Sequence, residues 1–206
     1  MGFRLHCGPA DAGWVAFSLH IDGRDFEANA SHLGAHPVDE LVTAAVDFCE
    51  HFFVSPYVAP EVDIDIVDEP GGLRLAFVAE GDKTLRLRVY DRGERLLSDA
   101  TAHLDELLFE TTLPIDTFAR EVYRMAGCVL AQQGLLGLRV GWTGPPVWDN
   151  EFMSKYTFPL ELYLYLGCIL NERRALANLT LHHEIDLLRK LLGPGLPPLP
   201  DSGKAE

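Results

Sequence analysis

The sequence predicts an α+β fold: an antiparallel β-meander sheet of about five or six strands packed by helices, with a C-terminal helical layer. Three observations carry this. Short segments that alternate apolar and polar residues are joined by brief Gly-containing turns, which connect antiparallel strands. Two longer segments, after residues 36 and 113, switch to apolar spacings of three and four, the period of a helix. A segment from residue 159 is apolar on most sides, as a helix enclosed by protein is.

The elements follow in order. In GWVAFSLHIDGRDFEAN, Val15, Phe17, Leu19 and Ile21 alternate with Ala16, Ser18 and His20, the pattern of a half-buried strand. Asp22-Gly23 suits a two-residue type I′ turn, which needs positive φ at both positions, and residues 24–29 form the return strand. Helix A is expected over about 37–53. Val38, Leu41, Val42, Ala45, Phe48, Cys49 and Phe52 share one face. Pro37 opens its first turn, Asp39 and Glu40 suit the positive end of its dipole, and Ser55-Pro56 ends it. Strands over 61–67, 73–79 and 84–90 make a meander, and 106–113 adds another. Pro114 opens helix B, striped by Phe118, Val122, Met125, Cys128 or Val129, and Leu130; Gly134 is its expected stop. Trp142 and Trp148 around Gly144-Pro145-Pro146 read as an aromatic-pinned loop. Helix C follows from Pro159, either well buried or paired with a second copy, and helix D spans 178–192. Residues 1–193 form one domain, and 194–206 a flexible Pro-rich tail.

Composition narrows the functional classes. At 206 residues, 48% apolar and 23% charged, the chain supports a sizeable core and does not read as disordered. No apolar run reaches the ~18–20 residues that span a bilayer. The start, MGFRLHCGPADAGW, holds one Arg and no sustained apolar stretch, so no secretory signal is expected. Cys7, Cys49, Cys128 and Cys168 are far apart and form no C-x-x-C pair, as reduced thiols in a cytoplasmic protein would be. Net charge is −14, and it is uneven: the first 70 residues hold thirteen acids against Arg4 and Arg24, a balance of −11. Such a field repels nucleic acid and anionic membrane and attracts basic partners.

The densest acidic stretch is EVDIDIVDEP, residues 61–70. Its alternation sends Val62, Ile64 and Ile66 inward and leaves Glu61, Asp63 and Asp65 outside. Arg86 and Arg88 are expected to balance Asp63 and Asp65 across the sheet. Asp68 and Glu69, beside Pro70-Gly71-Gly72, are expected to lack a partner in the fold. Asp63-Ile64-Asp65 also matches a D-x-D metal pattern, but no phosphate-cradling glycine loop accompanies it. His32 and His36 flank Gly34 on the way into helix A and are expected to be surface or capping groups. His182, His183 and Glu184 are consecutive, so a helix would point them apart; neither set matches a zinc pattern. No G-x-S-x-G, dinucleotide or P-loop signature occurs. No catalytic residue, metal or cofactor is therefore assigned.

Taken in order, several segments resemble a large uncharacterised bacterial family. They are the hairpin with IDG, SHLGAHPVDELVTAAVDF, an acidic strand running into DEPGGLRLAF, LRLRVYD, LLFETTLPIDTFAREVYRMAGCVLAQQG, the aromatic turn and FPLELYLYL. The similarity covers about residues 13–170, and Asp68-Glu69-Pro70-Gly71 is its most distinctive piece. The resemblance implies a setting among bacterial toxin and immunity genes and transfers no catalytic residue. Helices C and D extend past the family's usual end. The expected function is thus a non-enzymatic acidic binding protein of the immunity type, which neutralises a basic toxin domain by docking, with Asp63, Asp65, Asp68 and Glu69 as partner contacts. The alternatives are a homodimeric structural or regulatory module joined through helix C, and a metal-dependent or small-molecule enzyme using His32, His36 or the acidic strand.

Overall fold

The computed structural model describes residues 2–32, 34–54, 59–81, 83–93, 105–143 and 158–172, together with Asp186 and Arg189. Within them the fold is α+β, with two antiparallel sheets and three helices. The first sheet has the order β1 (Phe3–Cys7), β2 (Trp14–Ile21), β3 (Arg24–Ser31). The second runs β4 (Glu61–Asp68), β5 (Gly71–Glu80), β6 (Thr84–Asp91), β7 (Glu106–Pro114). The helices are α1 (Pro37–Cys49), continued by a π-helical turn over Glu50–Val54, then α2 (Ile115–Thr143) and α3 (Leu160–Glu172). Of the expected helix D only Asp186 and Arg189 are described, both helical; the rest of it, Trp148 and the Pro-rich tail lie outside the described residues.

Six of the seven strands fall where the sequence predicts strands, and Asp22 and Gly23 both have positive φ, as a type I′ turn requires. The meander forms one sheet, but the hairpin stands in a second sheet instead of extending it, and β1 adds a strand that was not expected. Phe3, Leu5 and Cys7 point inward beside Phe17, Leu19 and Ile21.

The sheets meet where β3 crosses one end of the second sheet. Asn29 N–H donates to Asp68 Oδ2 at the end of β4, 2.9 Å away, and the Ser31 hydroxyl donates to Glu69. At the other end of β3, Arg24 Nη1 donates to the Leu108 carbonyl of β7 at 3.2 Å, and its guanidinium lies 5.1 Å from the centre of the Phe109 ring. Phe26 packs against the same ring. Five residue steps of extended chain cover roughly 17 Å, and three strand spacings roughly 14 Å. The length from Arg24 to Asn29 therefore matches the width of the four-stranded sheet, and β3 lies across it.

The helices pack on the apolar faces of both sheets. Phe118 of α2 touches Phe3 of the first sheet, Phe77 of the second and Phe48 of α1, with ring centroids 4.8–6.2 Å apart. One continuous hydrophobic cluster joins both sheets and all three helices. In α3 every residue from 163 to 170 is buried, so its apolar sides are covered within this one chain.

Helix α2 runs past the expected stop. Gly134 takes φ 65° and kinks it, and the helix resumes to Thr143, so Trp142 sits on a helical turn instead of a loop. The continuation is held because Leu138 and Trp142, one turn apart, are both buried. Along its length α2 grips the N-terminal segment. Glu121 accepts from Leu5 N–H at 2.9 Å, and Arg124 Nη2 donates to the Leu5 carbonyl at 2.6 Å. Further on, the Gln133 side chain exchanges two 2.9 Å hydrogen bonds with the backbone of Ala10. Gly13 N–H reaches the Gly141 carbonyl, and a Cβ at Gly141 would lie 2.1 Å from the Ala10 oxygen, so only glycine fits. Twelve helical steps from Glu121 to Gln133 cover roughly 18 Å, and five extended steps from Leu5 to Ala10 cover roughly 17 Å.

Glu121 is 5% exposed. Burial alone would raise its carboxyl. Hydrogen bonds from Arg124, Leu5 N–H and Arg4 outweigh that and hold it below the ordinary carboxylate range. His36 is the N-cap of α1: its Nδ1 accepts from Val38 N–H at 3.1 Å, and its ring packs edge-on to Trp142. Burial pushes its pKa down to about 3.

Two predictions follow from these groups. Glu121→Ala should cost about 2–3 kcal/mol in urea unfolding, because Leu5 N–H and Arg124 lose their acceptor; a loss under about 0.5 kcal/mol would mean that the strand edge does not depend on it. For His36, whose folded pKa is depressed, stability is fully present above the unfolded value near 6.5 and is lost as pH falls toward 3. The slope approaches about 1.4 kcal/mol per pH unit. His36→Asn keeps a capping acceptor and should flatten that slope in urea titrations at pH 7, 6, 5 and 4. An unchanged slope would assign it to other groups.

Candidate functional site

The outer face of the second sheet holds the first two expected contacts. Asp65 stands opposite Arg74, and Asp63 opposite Ala76. Arg74 Nε lies 3.0 Å from Asp65 Oδ1, and its Nη1 lies 3.0 Å from Asp105 Oδ2. Arg92, whose side chain is 6% exposed, approaches Asp65 to 3.7 Å. The expected partners are therefore corrected. Arg86 pairs with Glu80 and Arg88 with Glu110, because β5 separates β6 from β4 and its Arg74 reaches Asp65 first. Among the described residues no base lies within ion-pair distance of Asp63. Its carboxyl is raised, chiefly by burial; Arg74 pulls it down, while Asp65, Glu61 and Asp105 push it up.

Asp68 and Glu69 are also corrected. Each has a partner in the fold, Asn29 N–H and the Ser31 hydroxyl respectively. Both acids fasten β3 to the end of β4, which is a tertiary contact between segments 38 and 39 residues apart. Each carboxylate has lone pairs beyond the one so used.

That junction is concave. A groove of about 480 Å³ runs along it, between β3 and the ends of β4 to β7. Asp68, Glu69, Glu27 and Asp91 line it, with Leu73 and Leu108 among its apolar walls, and among the described residues no Lys, Arg or His does. Asp91 is held by its own turn, accepting from Gly93 N–H at 2.7 Å. A second depression of about 280 Å³ shares Glu27 and Asp68 and adds His6, Ser18 and Asn29. The structure thus brings together two of the four expected contacts and adds Glu27 and Asp91. A partial signal for Asp91 lay in the meander, since consecutive antiparallel strands return residue 91 to the end that holds 68–72. Nothing local marks Glu27, because its place depends on the crossing of β3.

The backbone of this end is closely fitted. Gly72 has φ 133°, and a Cβ there would stand 2.0 Å from the Ile66 carbonyl oxygen, so the turn after Pro70 admits only glycine. Elsewhere, His36 serves as a helix cap, and burial pushes the Cys7 thiol up to about 12, which keeps it protonated and unreactive. Among the described residues no group of three or more His, Cys, Asp or Glu is placed to hold a metal ion. None of the described helices is long and apolar enough to cross a membrane.

Compared with known proteins, the chain matches no family model, no curated protein and no solved structure.

The two kinds of groove acid should behave differently on truncation. Asp68→Ala should lower stability by about 1 kcal/mol, since Asn29 N–H loses its acceptor. Glu27→Ala should stay within about 0.5 kcal/mol of the parent. Equal losses in thermal or urea unfolding would contradict the division.

Proposed function

We propose that this chain is a non-enzymatic binding protein that docks a basic protein partner, in the manner of a cytoplasmic immunity protein that neutralises a bacterial toxin. The observation that carries the reading is the groove at the sheet junction. Four carboxylates from three parts of the chain converge on it, and among the described residues no base lines it. Three of them are hydrogen-bonded to Asn29, Ser31 and Gly93, so they are ordered before a partner arrives and little side-chain entropy is lost on docking. The −14 net charge, concentrated in the first 70 residues, supplies the long-range attraction that speeds encounter with a cationic surface. Asp68 and Glu69 remain contacts in this reading, with Glu27 and Asp91 beside them. Asp63 and Asp65 contribute to the field from the neighbouring sheet face.

The test is biolayer interferometry against the product of the adjacent gene, expressed as an inactive variant. Glu27→Lys combined with Asp91→Lys should lower the association rate at least tenfold at low salt and flatten its salt dependence. Binding at the parental rate and salt slope, or no binding by the parent protein, would sink the proposal.

A further inference from the structure

We infer that the groove is a seat for an arginine side chain, presented by an extended segment of the partner; this rests on the docking reading above and names the group that the groove recognises. The junction already holds one guanidinium of its own. Arg24 places its head over the Phe109 ring, 5.1 Å from the centroid, and donates through Nη1 to the Leu108 carbonyl. Leu108 is also a wall of the groove. It falls at the register shift between β6 and β7, where Val89 faces Phe109 and Tyr90 faces Leu107, so it has no partner across the ladder. Its carbonyl is turned to a side-chain donor in this way.

The rest of the groove repeats that chemistry, and among the described residues no cation lines it. Leu73 and Leu108 offer apolar surface for the stem and the plane of a guanidinium, which is weakly hydrated and stacks well. Asp68 and Glu69 are consecutive at the β3 side, and Asp91 stands at the end of β6, so acceptors flank the space from both sides. Each keeps lone pairs free beyond its bond within the fold, and Glu27 adds a carboxylate on β3. A planar fork of five donors uses such a spread of acceptors better than the single ammonium point of lysine. A second copy of this chain is a poor occupant, since two bodies of charge −14 repel.

The experiment is an NMR titration of the ¹⁵N-labelled protein with three blocked peptides of one sequence, differing only in a central arginine, lysine or citrulline. The arginine peptide should shift the amides of Gly71, Gly72 and Gly93 and bind at least fivefold more tightly than the lysine peptide. The citrulline peptide should bind at least twentyfold more weakly than the arginine one. Glu27→Gln with Asp91→Asn, near-isosteric changes that leave the Asn29 and Ser31 bonds intact, should weaken the arginine peptide at least tenfold. Equal binding of arginine and citrulline, shifts confined to other residues, or indifference to the double variant would overturn the arginine seat. If the adjacent gene product still docks in those cases, the docking reading survives and only the seat is lost. If docking fails while the arginine peptide binds as described, the seat stands without that partner.

Discussion

A strand at the edge of a sheet carries unpaired N–H and C=O groups, and placing the strands in two sheets instead of one doubles the number of such edges. This fold depends on how they are satisfied. At the β1 edge, Glu121 and Arg124 stand in for a neighbouring strand: one accepts from Leu5 N–H, the other donates to its carbonyl. At the β3 edge, Asp68 takes the Asn29 N–H. At the start of β7, Arg24 takes the carbonyl of the unpaired Leu108. Side chains do the work of a backbone ladder in all three places, and the positions of α2, of the sheet junction and of the groove follow from it.

The same requirement accounts for part of the acidity. Carboxylates accept strongly from backbone N–H groups and carry no competing donor, so they suit the capping of strand edges as they suit helix N-termini. Glu121 is balanced by Arg124 and Arg4, and Asp65 by Arg74 and Arg92. At the sheet junction, among the described residues, no base lines the groove to offset Asp68, Glu69, Glu27 and Asp91. In the proposed docking reading, structural and partner-facing duties therefore fall on the same carboxylates there. A substitution at Asp68 changes both together, whereas one at Glu27 separates them.

Much of the fold was legible in the sequence because its signals are local. The β2–β3 hairpin followed from alternation and Asp22-Gly23, the meander from three alternating runs, and α1 from Pro37 and its apolar stripe. β1 was only weakly legible: Phe3, Leu5 and Cys7 alternate with Arg4 and His6, but over just five residues before Gly8-Pro9, and what secures them is a carboxylate 116 residues away. The continuation of α2 was hidden by Gly134, whose positive φ suits a helix stop equally well. The groove was half legible. Asp68 and Glu69 stood out as acids, but their partners on β3, and the arrival of Glu27 and Asp91 beside them, come from the crossing of two sheets. No periodicity in a single strand encodes a crossing.

The grip of α2 on the first strand also sets an order of events during synthesis. β1 leaves the ribosome before β2 and can pair with it as soon as the next twenty residues appear. Its outer edge then waits until Glu121, Arg124 and Gln133 have been made, more than half the chain later. For that interval the nascent chain displays an open strand bearing Phe3, Leu5 and Cys7, the kind of surface that recruits other nascent chains or a chaperone. The contact that closes the β1 edge thus forms only after the whole second sheet has been made, and β1 stays open to misassociation until then.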